Sequence, residues 1–263
     1  MDKYYHTTKY EYLDDISEHG LIPQIGERST SVGDEKKAVF VSKNEISAVL
    51  MFFSMKWFYE SHKNNEDELI ATIESTILYY NKLIEKRKNQ RFGLFRGNIE
   101  ELEKRREDAV QSLSKAKIMC GYSSFEEYFG EGVYLCINDL PNVKYNHPDI
   151  HNCWVENAII PEDINVVMLK NKETEELIDD KYKVINYFMA NIPVEVLFRE
   201  YKETIGIEDD KYTSHDTLTY LLNYYSNNEE EFNLLRSNYE LVEMPIKEYI
   251  NYKNGEKSAG CKA

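Results

Sequence analysis

The side chains best suited to chemistry lie near the N-terminus and in the middle of this 263-residue chain. His6 falls within residues 4–8, whose aromatic and β-branched side chains predict a strand, and two threonines follow it. Glu156 falls within residues 153–160, which also predict a strand. A carboxylate in a strand loses hydration unless it faces a polar cleft or finds partners. A strand histidine is more often structural, but here it comes with two hydroxyls that could bind a ligand.

The elements around His6 form a short, ordered series. Apolar side chains then recur at helical spacing at Tyr10, Leu13 and Ile16. Gly20 stands where a helix can end in a left-handed conformation without a Cβ clash. After a polar loop, residues 38–42 predict a second strand, and residues 45–59 predict an amphipathic helix. Ser42 or Asn44 can cap that helix.

Two long helical segments interrupt the series and predict a helical hairpin inserted at about residues 64–120. Residues 66–89 have apolar side chains near helical spacing, and Asn98 with Glu101 resembles a capping box before residues 99–119. A basic group lies near the turn, with only Glu85 against it: Lys82, Lys86, Arg87, Lys88, Arg91 and Arg96. We predict that this hairpin recognises a partner.

The remaining pattern predicts strands at residues 132–138, 153–160 and 164–169, and then a change to helices. Residues 181–201, 216–225 and 228–239 have helical periodicity, and residues 252–263 predict a frayed tail. The fold class predicted is therefore α+β, with a first domain at 1–172 and a helical C-terminal subdomain at 173–263.

Composition narrows the classes of function. A net charge of −15 disfavours nonspecific binding to nucleic acid or anionic membranes. No apolar run is long enough to cross a bilayer, and the polar N-terminus does not resemble a signal peptide. The four cysteines form no C-x-x-C pair, which favours a cytoplasmic protein with reduced thiols. His147, His151 and Cys153, with Cys136 or Cys120, match no zinc module, so we expect no metal.

The order of these motifs resembles the first half of the ADP-ribosyltransferase-like superfamily, mono-ADP-ribosyltransferase type. That family has a strand with His and a hydroxyl residue, then a G-L-x-P segment, then a strand bearing an aromatic residue that leads into a helix. Here these are His6 with Thr7 and Thr8, residues 16–23, and residues 39–42. The resemblance covers about residues 3–59 and 130–170. It implies a split antiparallel core interrupted by the hairpin.

The resemblance also implies roles for individual residues. NAD, as substrate, would lie between two small sheets, and its nicotinamide–ribose bond would be cleaved. His6 would contact a ribose or the nicotinamide amide, with hydroxyls from Thr7, Thr8 and Ser42 nearby. Phe40 would stack on nicotinamide. Glu156 would stabilise the positive charge that develops on the ribose.

Some assignments stay open. Residues 129–135 match a polymerase-type F-G-x-G-I-Y-F string more closely and offer Tyr134 as the aromatic, but Pro141 breaks the helix expected after it. Glu162 and Asp163 are alternatives to Glu156 and have the character of turn residues. Trp154 stands where arginine-specific toxins carry a second Glu or Gln, two residues before the catalytic Glu, so the sequence gives no support for arginine as the acceptor.

The resemblance implies ADP-ribosylation of a macromolecule, expected to be a protein, by a bacterial or phage effector, toxin or anti-defence protein. The basic end of the hairpin keeps nucleic acid as an alternative partner, and the cytoplasm of a host cell is an alternative location. Two other functions stay open. One is a binding module of this fold that has lost catalysis. The other is an RNA 2′-phosphotransferase-like enzyme, although the site has few of the basic residues that hold phosphate.

Overall fold

The computed structural model describes residues 2–24, 37–88, 97–146, 149–205 and 213–260. The chain is α+β with antiparallel sheets. Its strands are β1 (Lys3–Thr8), β2 (Val39–Val41), β3 (Val133–Asn138), β4 (Lys144–Asn146), β5 (Asp149–Val155), β6 (Ile164–Asn171), β7 (Leu177–Ile178) and β8 (Tyr239–Pro245). Its helices are α1 (Leu13–His19), α2 (Glu45–Lys63), α3 (Glu66–Lys88), α4 (Gly97–Cys120), α5 (Phe125–Phe129), α6 (Lys181–Asn191), α7 (Val194–Ile205), α8 (Thr213–Asn227), α9 (Glu229–Asn238) and α10 (Ile246–Gly260). Among the described residues, no helix is apolar over a length that would cross a bilayer.

Two antiparallel sheets contain these strands. The larger has the order β1-β3-β6, with β7 and β8 both pairing with β6. The smaller has the order β2-β5-β4. Strand β3 lies between two neighbours and is buried from Val133 to Ile137, which explains its unbroken apolar sequence.

A hydrophobic core covers one face of the larger sheet. Residues of β1, β3 and β6 that stand opposite each other share this face, for example Tyr4, Ile137 and Ile164. Helix α6 packs on the other face, where the Phe188 ring lies 5.2 Å from the Tyr5 ring. The core consists of Tyr4, Leu13, Ile16, Leu21, Val39, Val41, Val133, Leu135, Ile137, Cys153, Val155, Ile159, Ile164, Val166, Met168, Ile246 and Tyr249.

The predicted end of α1 at Gly20 is confirmed, and packing requires the glycine. Its φ is 79°, and a Cβ at this position would lie 2.0 Å from the carbonyl oxygen of Ile159. The next residue, Leu21, exchanges two main-chain hydrogen bonds with Ile159, of 2.9 and 3.0 Å. The G-L-x-P segment therefore ties α1 to the chain that follows β5.

The C-terminal region differs from the sequence prediction. The predicted helix at residues 228–239 ends at Asn238, and Tyr239–Pro245 forms β8, which pairs with β6 over seven residues. The predicted frayed tail was also wrong as far as Gly260, because α10 continues to that residue. Residues after 173 therefore complete the larger sheet, and helix propensity alone did not reveal that contribution.

The described residues form two compact units. The first contains both sheets, α1, the start of α2 up to Met55, and α6 to α10. The second contains the rest of α2 from Lys56, together with α3, α4 and α5. Helices α3 and α4 confirm the predicted hairpin, with ends within two residues of the predicted ones.

Candidate functional site

In the described part of the chain, one residue pair joins the two sheets. Tyr5 of β1 stands opposite Ser42, which follows β2, and each main-chain N–H donates to the other's carbonyl oxygen at 2.8 Å. Within the described residues this is the only paired position between β1 and β2. The strands therefore diverge on either side of it, beside His6 and Phe40. We call this region the junction, defined by Tyr5, His6, Phe40 and Ser42.

His6 is held across the junction by a main-chain contact. Its Nδ1 lies 2.8 Å from the carbonyl oxygen of Phe40, and the side chain is half-buried. A carbonyl oxygen only accepts hydrogen bonds, so Nδ1 carries the proton. In the neutral imidazole the acceptor lone pair is then on Nε2, the atom that a sugar hydroxyl or an amide N–H could bind.

Strand alternation separates the two threonines that follow His6. Thr8 shares the face of His6, whereas Thr7 shares the opposite face with Tyr5. Ser42 stands directly opposite Tyr5 and lies on that same side, as does Phe40 two residues earlier. The structure thus brings the His6 side chain next to the Phe40 main chain, but the side chains of Thr7, Phe40 and Ser42 lie on the opposite side from those of His6 and Thr8.

The two candidate aromatic residues have different environments. Phe40 is half-buried and stands opposite Trp154 of β5. Tyr134 lies in β3 with 3% of its surface exposed, and its ring centroid is 5.9 Å from that of Phe188. Tyr134 is therefore a core side chain, whereas the Phe40 side chain keeps surface that a planar ligand could cover.

Glu156 lies in a different setting from the one the sequence indicated. Strand β5 ends at Val155, and Glu156 occupies a bend with 56% of its side chain exposed. Its Oε2 lies 2.7 Å from Nζ of Lys144. The predicted strand at residues 153–160 is interrupted here because Val155 pairs with the first residue of β2, after which Ile159 pairs with Leu21. The carboxylate is hydrated, so burial does not argue for a role.

The glycine-rich string before β3 has a structural role. Gly132 has a φ of 150°, and a Cβ there would lie 2.0 Å from the carbonyl oxygen of Thr8. Gly130 also has a positive φ, of 71°. These glycines let the chain enter β3 closely against the end of β1, so they help to fix the strand that carries His6.

Polar contacts on the α6 side of β1 support the junction, and the sequence did not reveal them. The Tyr5 hydroxyl donates to Oε1 of Glu45 at 2.5 Å, and Lys3 Nζ lies 2.5 Å from Oε1 of Glu243. Burial, reinforced by the Glu45 carboxylate, raises the pKa of Tyr5 well above its usual range. Glu45 begins α2, whose N-terminus is capped by Asn44, as predicted: Oδ1 accepts from the Ser47 N–H at 2.8 Å.

The described cysteines are free thiols, and no cluster of three His, Cys, Asp or Glu side chains in the described residues could hold a metal ion. Burial raises the pKa of Cys136 to about 12, and Cys153 is also buried. His147 and the side chain of His151 lie outside the described part of the chain.

The basic group of the hairpin is only partly described. Arg91 and Arg96 lie outside the described residues. Lys88 contacts Glu103 of α4, with 2.7 Å between Nζ and Oε1. Lys82 and Lys86 are exposed on α3.

No protein-family model, curated protein sequence or solved structure matches this chain.

Proposed function

We propose that the protein is an NAD-dependent mono-ADP-ribosyltransferase of the ADP-ribosyltransferase-like superfamily. The observation that carries the proposal is the hydrogen bond from His6 to the Phe40 carbonyl, beside the Tyr5–Ser42 pair that, within the described residues, alone joins the two antiparallel sheets. Two residues assigned to one site from their order in the sequence, 34 positions apart, are thereby in direct contact.

His6 would orient NAD. With Nδ1 committed to the Phe40 carbonyl, Nε2 of the neutral ring accepts a hydrogen bond from a ribose hydroxyl or the carboxamide N–H. The main-chain contact fixes the ring, so less conformational entropy is lost when NAD binds. The half-buried Phe40 side chain lies on the other side of the strand from the His6 ring, so NAD would reach both only where β1 and β2 diverge, with Phe40 supplying apolar surface for the nicotinamide ring.

Glu156 would act at the glycosidic bond. The bond between the ribose carbon and the nicotinamide nitrogen breaks, and neutral nicotinamide leaves with the electron pair. The ribose then carries positive charge, which a carboxylate stabilises more in the transition state than in bound NAD. A nucleophilic oxygen or nitrogen of the acceptor bonds to the same carbon and loses its proton. Lys144 must give up its ion pair for Glu156 to act in this way.

The acceptor is proposed to be a macromolecule, with a protein favoured over nucleic acid. A net charge of −15 repels a polyanion at long range. The partly described basic end of the hairpin is the exception, and it keeps nucleic acid as the second candidate. We propose a bacterial or phage effector, toxin or anti-defence protein that acts in cytoplasm.

The direct experiment is incubation of the purified chain with NAD, alone and with a cell lysate. The expected result is release of nicotinamide, together with an acceptor that mass spectrometry shows to be heavier by one ADP-ribose unit. A chain that neither binds nor consumes NAD would exclude the proposal.

A binding module without catalysis is the second candidate, and the setting of Glu156 favours it. An exposed carboxylate paired with lysine resembles an ordinary surface ion pair, which is worth little energy. This candidate predicts measurable NAD binding with no nicotinamide release under any acceptor condition.

A further inference from the structure

The outer surface of helix α3 is a continuous exposed face. At about 100° per residue, eight of its side chains fall on one side of the helix, and all are exposed: Glu68, Ala71, Thr72, Ser75, Leu78, Tyr79, Lys82 and Lys86. Leu78 and Tyr79 each expose 59% of their surface. A leucine and a tyrosine side by side at the middle of an exposed helix make an apolar centre with charged ends.

Six residues of this face form one row along α3, which we call the seam. Positions 68, 72, 75, 79, 82 and 86 are separated alternately by four and three residues, and Tyr79 is the apolar member of a row that is otherwise polar, unlike the apolar seam of a coiled coil. The set is also symmetric about residue 77, the midpoint of α3. An antiparallel second α3 therefore faces Glu68 with Lys86, Thr72 with Lys82, and Ser75 with Tyr79, twice each.

We propose that two copies of the protein associate through this face of α3, antiparallel and related by a twofold axis at residue 77. Such an axis, perpendicular to both helices, keeps the two Leu78 side chains on the same side of the seam and within one turn of each other. The small side chains of Ala71 and Ser75 let Tyr79 of the second copy approach. We call this arrangement the α3 dimer.

The charges at the ends of the face are available for such a partner. Neither Glu68 nor Lys86 has an ion-pair partner among the described residues. The ion pairs that join α3 to α4 use other positions, Glu74 with Lys117 and Lys88 with Glu103. Helix α4 thus lies on another side of α3 from the seam face, whose side chains are exposed among the described residues.

A second copy fits this face better than nucleic acid or an unrelated protein. A nucleic acid would meet Glu68 at one end, in a chain of net charge −15. An antiparallel copy supplies the opposite charge at both ends and an identical apolar residue at the centre, and it requires no other molecule.

Exchanging the charges of Glu68 and Lys86 tests the α3 dimer. Association is measured by sedimentation velocity at about 150 mM salt, because screening then limits the electrostatic effect of each substitution to charges in close contact. Wild type is expected to dimerise below about 200 μM. Glu68→Lys and Lys86→Glu each place like charges together twice, so each alone should dimerise at least about tenfold more weakly. An equimolar mixture of the two variants should form a heterodimer, and the double variant should again form a homodimer.

Glu107→Lys is the matched control, since it makes the same charge change at an exposed position of α4 and should leave the dimer intact. Leu78→Glu, which puts two carboxylates near the axis, should abolish dimerisation with an unchanged circular dichroism spectrum. A wild type that stays monomeric to about 200 μM, or single variants whose mixture stays monomeric, would overturn the proposal. A wild type that sediments faster only when RNA or lysate protein is added would overturn the α3 dimer and assign the face to that partner.

Discussion

His6 of β1 donates its Nδ1–H to the main-chain carbonyl of Phe40 in β2 across 2.8 Å. The contact crosses between the two sheets beside the only pair that joins them in the described residues. Because the acceptor is main chain, the orientation of the imidazole does not depend on which side chain stands at position 40. The geometry separates the role of His6 in orienting a ligand from the role of Phe40 in covering it.

Replacing His6 by alanine should weaken NAD binding by about tenfold, the effect of losing one hydrogen bond to the ligand and its preorganisation. Folding should persist, with a fall in Tm of a few degrees, since one half-buried hydrogen bond is lost. Calorimetric titration with NAD and thermal unfolding measure the two effects.

His19→Ala is the control for that substitution, because His19 is an exposed histidine that pairs with Asp15 four residues away. It should leave NAD affinity unchanged. Equal affinity of wild type and His6→Ala would remove His6 from the site.

Gly132→Ala should destabilise the sheet that carries His6. The added Cβ would lie 2.0 Å from the Thr8 carbonyl oxygen, and a φ of 150° is strained for alanine. We expect a loss of about 3 kcal/mol in the free energy of unfolding, measured in urea. Gly255→Ala is the control, since a Cβ there meets nothing within 4 Å in helix α10. It should be neutral or stabilise by up to about 1 kcal/mol, and an equal loss in both variants would argue against the close approach of β1 and β3.

The free energy of unfolding should fall in acid because Asp179 becomes protonated. Burial raises the pKa of its carboxyl, but hydrogen bonds from Lys253, Tyr249 and Tyr10 outweigh burial, so the pKa lies below the usual value. A carboxyl with a lowered folded pKa stabilises above the unfolded pKa of about 4, and this stability is lost as pH falls through the folded value. Asp179→Asn should therefore cost about 1–3 kcal/mol at pH 7.

Below about pH 3 the difference between Asp179→Asn and wild type should narrow, because the wild-type carboxyl is then protonated in most unfolded chains. Urea unfolding at both pH values measures this. Asp108→Asn, which removes a carboxylate at an exposed position of α4, is the control and should leave the free energy of unfolding at pH 7 unchanged. A constant difference for Asp179→Asn across pH would contradict the lowered pKa.

The sequence predicted the elements whose determinants are local. Helices α3 and α4, strands β1, β3 and β6, the end of α1 at Gly20 and the Asn44 cap all follow from periodicity or capping residues. Strand β8 was missed because its strand state depends on pairing with β6, far away in sequence. The order of His6 and Phe40 predicted their proximity, but strand alternation had to be read from the register to separate Thr7 from Thr8.

Glu156 shows what the local sequence pattern cannot predict. Apolar neighbours on both sides predicted a strand, but the partner strand begins at Val39 and the chain leaves the sheet after Val155. The hydration of its carboxylate depends on that long-range pairing. Its proposed role therefore rests on order along the chain and on its place after β5, and not on burial.

Nicotinamide release by wild type and by Glu156→Gln tests the central claim most directly. Glutamine keeps the shape and hydrogen bonding of the side chain and removes its charge, so we expect near-native NAD affinity and turnover lower by about 10²-fold or more. Glu162→Gln is the matched control, since Glu162 is also exposed and paired with a lysine, Lys247, and it should keep wild-type turnover. Wild-type turnover in Glu156→Gln, or a wild type that binds NAD and releases no nicotinamide, would contradict the account.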